Sequence, residues 1–219
     1  MSSKVRDPRK LFAQLTDSSQ ERNIYTHPNP FARDIFWNRL ELLLRGMQRS
    51  CGDPREILDF GGGSGGFLKG LCQTYPHSQI DVVDLEPADA ERVRSHHVLA
   101  NAAIYRADLE QWDPKKFYDL IVATDVLEHF RDLEVPVRSI RRLLNPGGYL
   151  CISVPTENWL YLAGRILINK TKPADHFHAG KNILKHLQAH GFRVVWENLA
   201  PRYFGLSIPL FHLAVLKAE

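Results

Sequence analysis

The sequence predicts an α/β fold built on a mainly parallel sheet. Short apolar runs, typical of buried strands, alternate with segments of helical periodicity, and glycine- or proline-containing turns separate them. The 219 residues are 44% hydrophobic and 24% charged, which is typical of a globular protein and excludes a disordered or collagen-like chain. Since ligands bind at the carboxyl ends of the strands in such sheets, functional residues are expected there.

The N-terminal segment, residues 1–55, is predicted to be a tail followed by a helical cap. Its first 22 residues are polar and lack clear periodicity. Asn29 can cap a helix and Pro30 suits the first helical position. Apolar residues then recur at helical spacing over 30–49, which predicts an amphipathic helix. We expect this helix to cover the ligand site of a domain formed by residues 56–219.

The domain at 56–219 contains seven runs typical of strands. In chain order they are residues 56–60, 79–84, 102–107, 118–124, 149–154, 192–196 and 208–216. The run YDLIVAT at 118–124 is almost continuously apolar, as expected for a strand buried on both faces. Helical spacing follows the first strand and recurs over 133–144 and 182–190, which gives the βαβ pattern of a parallel sheet.

A glycine-rich loop follows the first strand. It reads DFGGGSGG, and two patterns fit it: GxGxxG through Gly61, Gly63 and Gly66, and DxGxGxG through Asp59, Gly61, Gly63 and Gly65. Glycines permit a tight turn and let a ligand touch the backbone, and the next helix offers free N–H groups. Asp84 ends the second strand, where its two oxygens suit ribose hydroxyls. The loop indicates an adenosine-type cofactor and leaves open NAD and S-adenosylmethionine.

Five segments in order and in register resemble class I S-adenosylmethionine-dependent methyltransferases of types 11, 12 and 23. They are ILDFGGGSGGFL, VVDLEP, the stretch from Ala107-Asp108-Leu109 to FYDLIVATDVLEHF, LLNPGGYLCISVP and AHGFRV. The VLEH segment at 126–129 is similar to the branch that contains the ubiquinone-pathway O-methyltransferases. The resemblance implies a Rossmann-like three-layer sandwich, with a seven-stranded, mostly parallel sheet whose last strand is antiparallel.

The resemblance also implies which residues bind S-adenosylmethionine. Asp59 would order the loop near the methionine amino group, and Asp84 would bind the ribose. Asp108 would meet the adenine amino group, with Leu109 near the ring, and Asp125 would lie where donor and acceptor meet. The alternatives are that Asp84 is a surface turn acid and that Asp108 and Asp125 each cap the segment that follows. The full set of implied cofactor-binding residues is Asp59, Gly61, Gly63, Gly65, Asp84, Asp108, Leu109 and Asp125.

His129 is the candidate catalytic residue. It lies four residues beyond Asp125, so a helical turn would bring both to one side of the cleft. An imidazole, with an ordinary pKa near 6.5, suits a general base, the alternative being a residue that positions substrate or the local turn. The DHFH segment at 175–178 fits a metal site, a lining of the acceptor site or a plain loop. Because an HxH pair without a fixed third ligand is a poor metal signal, we predict no metal.

The acceptor is predicted to be a small or lipid-like molecule. Apolar residues are concentrated between Pro155 and Asp175, which indicates either local core or a greasy acceptor pocket or interfacial contact. The predicted reaction is methyl transfer from S-adenosylmethionine, at an oxygen of the acceptor. The alternatives are a non-catalytic S-adenosylmethionine-binding partner protein, a nucleic-acid methyltransferase and an NAD-dependent oxidoreductase. The chain shows neither an Asn-Pro-Pro-Tyr signature after the fourth strand nor an evident Tyr-x-x-x-Lys hydride-site motif.

Charge and cysteine content place further bounds on the function. The formal net charge of +3 gives no basic track for nucleic acid. No apolar stretch reaches the ~20 residues that span a membrane, and no secretory signal is visible, although peripheral membrane contact stays open. Cys51, Cys72 and Cys151 form no CxxC pair, which excludes a disulfide framework and favours a reducing compartment. We therefore expect a cytoplasmic protein.

Overall fold

The fold is organised around one seven-stranded sheet in a computed structural model that describes residues 29–108, 110–167 and 175–219. The strand order is β3-β2-β1-β4-β5-β7-β6, and among these strands β7 alone runs opposite in direction to the rest. This confirms the predicted mostly parallel sheet with an antiparallel last strand. The strands are β1 (Glu56–Phe60), β2 (Gln79–Asp84), β3 (Ala102–Arg106), β4 (Tyr118–Thr124), β5 (Leu144–Pro155), β6 (Phe192–Tyr203) and β7 (Leu206–Ala218).

Helices pack on both faces of the sheet and give the predicted three layers. The described helices are α1 (Pro30–Ser50), α2 (Gly66–Thr74), α3 (Ala88–His97), α4 (Glu134–Leu143), α5 (Trp159–Leu167) and α6 (Gly180–Ala189), with a 3₁₀ turn at Leu127–His129. Residues of α1, α2 and α3 bury one face of the sheet, around Ile57 and Val82. Residues of α4 and α6 bury the other face, around Leu58 and Ile121. Alternate residues of each central strand thus enter opposite cores, which explains the continuous apolar runs.

Helix α1 begins where the sequence predicts. The Asn29 side chain accepts a hydrogen bond from the Phe31 backbone N–H at 2.9 Å, and Pro30 takes the first helical position. Its buried face, which includes Leu43 and Met47, shares the hydrophobic core of the sheet. The predicted division of the chain at residue 55 stays a prediction, and the tail at 1–28 lies outside the described residues.

The C-terminal strands are longer than their apolar runs. Strand β5 begins at Leu144, so the Pro-Gly-Gly segment belongs to the strand instead of preceding it. Strands β6 and β7 form a hairpin that stays paired as far as Tyr203 and Leu206. Backbone hydrogen bonds of the hairpin extend both strands beyond their buried apolar residues. The hydrophobic pattern of the sequence therefore does not predict where these strands end. Among the described residues, no helix combines the length and the apolarity that a membrane span requires.

The sheet topology brings the predicted site residues to one edge. Strands β1, β2, β3 and β4 are parallel neighbours, so their carboxyl ends lie side by side. The glycine loop leaves this edge from β1, Asp84 ends β2, and Asp125 directly follows β4. Helix α1 approaches the same edge, as the Arg39 side chain described below shows.

Candidate active site

The glycine loop turns sharply between β1 and α2. Gly61, Gly63 and Gly65 have φ values of 70°, 44° and 68°, in the left-handed region that favours glycine. A side chain at Gly61 would come within 2.7 Å of Val126, and one at Gly65 would come within 2.8 Å of the Ala90 backbone. Gly65 therefore permits the close approach of α2 and α3, whereas Gly61 keeps the loop against the segment after β4.

Asp84 is joined to the glycine loop. One of its carboxylate oxygens accepts a hydrogen bond from the Gly63 N–H at 2.8 Å, and the other accepts one from the Glu86 N–H at 2.8 Å. The loop is tied to β2 a second time, because the Gly61 N–H donates to the Val83 carbonyl at 2.9 Å. The carboxylate that resemblance assigns to the ribose is thus held in place by backbone groups.

Asp59 lies beneath the loop and is fully buried. Neither carboxylate oxygen has a hydrogen-bond partner among the described residues. Burial, with a smaller contribution from the negative charge of Asp84, raises the pKa of Asp59 from 3.8 to about 7. A buried acceptor without a donor costs free energy, so Asp59 fits a ligand that brings a donor or a positive charge to this edge of the sheet.

A cavity of about 140 Å³ opens beside the loop. Asp108 lines it, is exposed, and accepts a hydrogen bond from the Glu110 N–H at 3.0 Å, so it also caps the turn that follows. Leu109, predicted to pack near an adenine ring, lies outside the described residues. A mainly apolar wall with carboxylates at its rim fits a nucleoside. The full lining is Phe60, Gly61, Val83, Asp84, Leu85, Ala107, Asp108, Val126 and Phe130.

Asp125 follows β4 with a φ of 54° and forms an ion pair with Arg39. Arg39 is fully buried on α1, and its guanidinium carbon lies 4.4 Å from the centroid of the Phe211 ring. The aromatic face and the carboxylate together stabilise a charge that burial would otherwise disfavour. The residue predicted to lie where donor and acceptor meet is thus fixed by the N-terminal helix.

Glu128 is a second buried carboxylate at the end of β4. Glu128 is only 1% exposed, and its Oε2 atom has no hydrogen-bond partner among the described residues. Burial raises the pKa of Glu128 well above its ordinary range; the negative charge of Asp125 adds to this, and the nearby Arg39 opposes it. The site therefore contains a carboxylate whose charge the described residues only partly compensate.

His129 and His176 lie together beyond the end of β4. Their rings pack edge to face with centroids 4.8 Å apart. The His129 Nδ1 lies 2.9 Å from an Asp175 oxygen, and the His176 Nδ1 lies 2.7 Å from a Glu157 oxygen. The segment that begins at Asp175 therefore packs against the residues that follow β4. His129 takes part in a 3₁₀ turn instead of an α-helical one, and its carboxylate partner is Asp175.

Sequence analysis missed three residues of this site: Arg39, Glu128 and Glu157. Arg39 lies on the apolar face of α1, three residues after Phe36. A charged residue at such a position is unusual and could have indicated a buried ion pair. Glu128 was recognised only as part of a motif. No sequence pattern identifies Glu157, because its contact with His176 depends on how the chain folds after β5.

Comparison with known proteins agrees with this arrangement. The profile of a family described as a methyltransferase domain matches residues 31–197. Trans-aconitate 2-methyltransferase of Escherichia coli O139:H28 is 33% identical over 138 residues, which are 63% of this chain and 51% of the relative. The chain thus spans about half the length of the curated relatives it matches.

Solved structures support the same fold. The N-methyltransferase NodS of Bradyrhizobium japonicum, in complex with S-adenosylhomocysteine, has a TM-score of 0.67 at 20% identity and covers 97% of this chain and 99% of its own. Magnesium protoporphyrin IX methyltransferase of Synechocystis has a TM-score of 0.68 at 18% identity, covering 97% and 100%. The family profile, the sheet order and the glycine loop agree, and the chain belongs to the methyltransferase domain family, within the class I S-adenosylmethionine-dependent methyltransferases.

Proposed function

We propose that this protein transfers a methyl group from S-adenosylmethionine to an oxygen atom of a small or lipid-like acceptor. One observation carries the proposal: Asp84, at the rim of the cavity, is held by the Gly63 N–H, with the unpartnered Asp59 beneath the same loop. This arrangement offers backbone and carboxylate groups to an adenosyl ligand on one side. It leaves the end of β4 for the acceptor.

The proposed donor site comprises eight residues, of which the seven that the structure describes lie at or beside the carboxyl edge of the sheet. When bound, S-adenosylmethionine supplies a methyl group on a positively charged sulfur. Asp59 lies where a ligand's cationic group would relieve its buried charge, and Asp84 offers acceptors to ribose hydroxyls. The chain's own contribution is alignment, which by itself gives effective concentrations of about 10⁵–10⁸ M. The proposed residues are Asp59, Gly61, Gly63, Gly65, Asp84, Asp108, Leu109 and Asp125.

The groups around the end of β4 favour an oxygen acceptor. An amine with a free lone pair needs no deprotonation before methyl transfer, whereas a hydroxyl does. Glu128, His129 and His176 form a concentration of ionisable groups on the acceptor side, which suits a hydroxyl or carboxyl substrate. The named activities of the relatives, on trans-aconitate and on magnesium protoporphyrin IX, also involve small molecules.

A lipid-like acceptor is supported by apolar groups near this side. Trp159 at the start of α5 is 78% exposed, and Phe177 is also exposed. Tyr161 on the same helix is buried in the core, so α5 both packs on the domain and presents an aromatic ring outward. Exposed aromatic rings bind apolar ligands or lipid interfaces.

A two-part experiment tests this function. Purified protein is titrated calorimetrically with S-adenosylhomocysteine and with NAD, and we expect binding of the former only. Cell extract is then incubated with methyl-labelled S-adenosylmethionine and the protein, and separated into lipid, small-metabolite and macromolecule pools. Label in the first two pools, reduced with Asp84→Asn at a low concentration of the donor, supports the proposal. Binding of the donor analogue without label in any pool would favour a non-catalytic partner protein, and label confined to nucleic acid would overturn the acceptor class.

A further inference from the structure

Three residues at the acceptor side are arranged as metal ligands. One ligand atom from each of Glu128, His129 and His176 lies within 4.8 Å of the other two. Glu128 and His129 belong to the turn after β4, and His176 belongs to the segment before α6. The two segments are joined by a hydrogen bond from the Phe177 N–H to the Glu128 carbonyl at 2.8 Å.

The buried carboxylate gives an independent sign of a missing partner. The Oε2 atom of Glu128 is inaccessible and accepts no hydrogen bond from any described residue. An unpaired buried carboxylate is strongly unfavourable, and proteins resolve this by pairing it, protonating it or binding a metal ion with it. Arg39 lies near enough to affect Glu128, but its ion pair is with Asp125.

Both imidazoles have a carboxylate partner, as metal-ligating histidines usually do. The Nδ1 atom of His129 lies 2.9 Å from Asp175, and that of His176 lies 2.7 Å from Glu157. A ring that donates its Nδ1–H to a carboxylate presents the lone pair of Nε2. Carboxylate–histidine–metal arrangements of this kind fix the tautomer and raise the basicity of the ligand nitrogen. Two such pairs converge beside one orphaned carboxylate.

We propose that Glu128, His129 and His176 bind a divalent first-row transition-metal ion, of the class of Zn²⁺, Mn²⁺, Fe²⁺ or Co²⁺. Two imidazoles and one carboxylate suit these ions better than Mg²⁺ or Ca²⁺, which prefer oxygen ligands. Three protein ligands leave coordination positions open, as in catalytic sites. If the protein is a methyltransferase as proposed above, an oxygen atom of the acceptor binds the ion at an open position.

This inference changes two sequence-based predictions. No metal was predicted, because the HxH segment lacks a third ligand nearby in the sequence; the fold instead combines one histidine of that segment, His176, with Glu128 and His129. The predicted general base, His129, becomes a ligand, since a nitrogen that coordinates a metal ion cannot accept a proton. An acceptor hydroxyl bound at an open position would have its pKa lowered by the ion and would release its proton to solvent, so the imidazole would not need to accept it.

A second cluster on the surface provides a matched control. Glu134, His186 and His190 also bring three ligand atoms together, on α4 and α6. Here the carboxylate is already engaged, because its Oε2 lies 2.7 Å from His190 Nε2, and all three side chains are partly exposed. The His190 Nδ1 lies 2.7 Å from a backbone carbonyl, not from a carboxylate. This cluster lacks both signs that mark the first one.

The test measures metal binding on the full chain without acceptor. Metal-free protein is titrated with Co²⁺ while its visible absorption is recorded, and dialysed Zn²⁺-loaded protein is assayed for bound metal. We expect one equivalent and a visible band characteristic of Co²⁺ ligation by protein. Glu128→Gln and His176→Gln should each weaken Co²⁺ binding at least tenfold, whereas the double variant His186→Gln/His190→Gln should leave it unchanged.

Folding and donor binding are followed separately. Titration with S-adenosylhomocysteine shows whether each variant keeps its donor site, so loss of the metal and failure of the proposed function are distinguishable. A third variant, Glu157→Gln, keeps all three ligands, removes the carboxylate charge beside His176 and should weaken Co²⁺ binding about tenfold. Absence of stoichiometric binding to the wild-type chain would overturn the proposal. So would binding that disappears only in the surface double variant.

Discussion

Arg39 on α1 and Asp125 after β4 form an ion pair between residues 86 positions apart in the sequence. The guanidinium is fully buried, whereas the Asp125 side chain is 35% exposed. The pair fixes a residue with positive φ at the end of β4 and ties the N-terminal helix to that end of the strand. The predicted cap thus contributes a charge to the site in addition to covering the sheet.

Replacing Arg39 by methionine tests this link. The substitution keeps an unbranched apolar chain, leaves Asp125 without its ion-pair partner and removes a positive charge that acts on the buried Glu128. Breaking a buried pair from one side typically costs about 3–5 kcal/mol, and the partial exposure of Asp125 reduces this to about 2 kcal/mol. Urea unfolding curves measure the loss.

The matched control is Arg45→Met on the same helix. Arg45 pairs with Glu41 four residues away, and both side chains are exposed. Such pairs contribute roughly 0.3–0.5 kcal/mol, so the midpoint of unfolding should barely move. Equal effects of the two substitutions would mean that the buried pair has no special part in stability.

The sequence predicts the proposed donor side of the site better than the proposed acceptor side. The glycine loop and Asp84 are local: each directly follows its strand, and parallel pairing of β1 with β2 brings them together. The partners of Asp125 and His129 are not local. Arg39 reaches the site only because α1 packs across the sheet, and Asp175 only because the chain after β5 returns to the end of β4. No periodicity encodes such approaches.

The pKa of Asp59 predicts how stability changes with pH. Because burial raises it from 3.8 to about 7, the folded chain holds a proton that the unfolded chain releases between these values. The free energy of unfolding should therefore fall as the pH rises from about 4 to 7, by at most about 4 kcal/mol from this group. Glu128, whose pKa is also raised, adds a change of the same sign.

Asp59→Asn isolates the contribution of this carboxyl. The amide cannot ionise, so the variant should lose less stability than the wild type between pH 5 and pH 8. Urea unfolding of the ligand-free protein at one-unit pH steps measures the two slopes. Identical slopes would mean that Asp59 keeps an ordinary pKa in the folded state.

Gly65→Ala tests the packing of the loop against α3. A Cβ atom at this position would lie 2.8 Å from the Ala90 Cα, which is backbone and cannot rotate away. Gly52 is the control: its φ of 63° is close to the 68° of Gly65, but a Cβ there meets nothing within 4 Å. Both variants carry the strain of positive φ, about 1 kcal/mol, and only Gly65→Ala adds overpacking of about 1–3 kcal/mol. Thermal unfolding should separate them, and equal shifts would contradict the packing role.

Asp84→Asn should weaken donor binding without unfolding the chain. The amide keeps an oxygen for the Gly63 N–H but loses the charge that strengthens hydrogen bonds to ribose hydroxyls, worth about 1.5–3 kcal/mol. Calorimetric titration with S-adenosylhomocysteine should therefore show a dissociation constant about 10–100 times larger. Glu86→Gln is the control, because Glu86 is exposed and contacts Asp84 only through its backbone N–H. If both variants bound the analogue as tightly as the wild type, the ribose would have to lie away from the end of β2, and the cavity beside Asp108 would no longer be the nucleoside site.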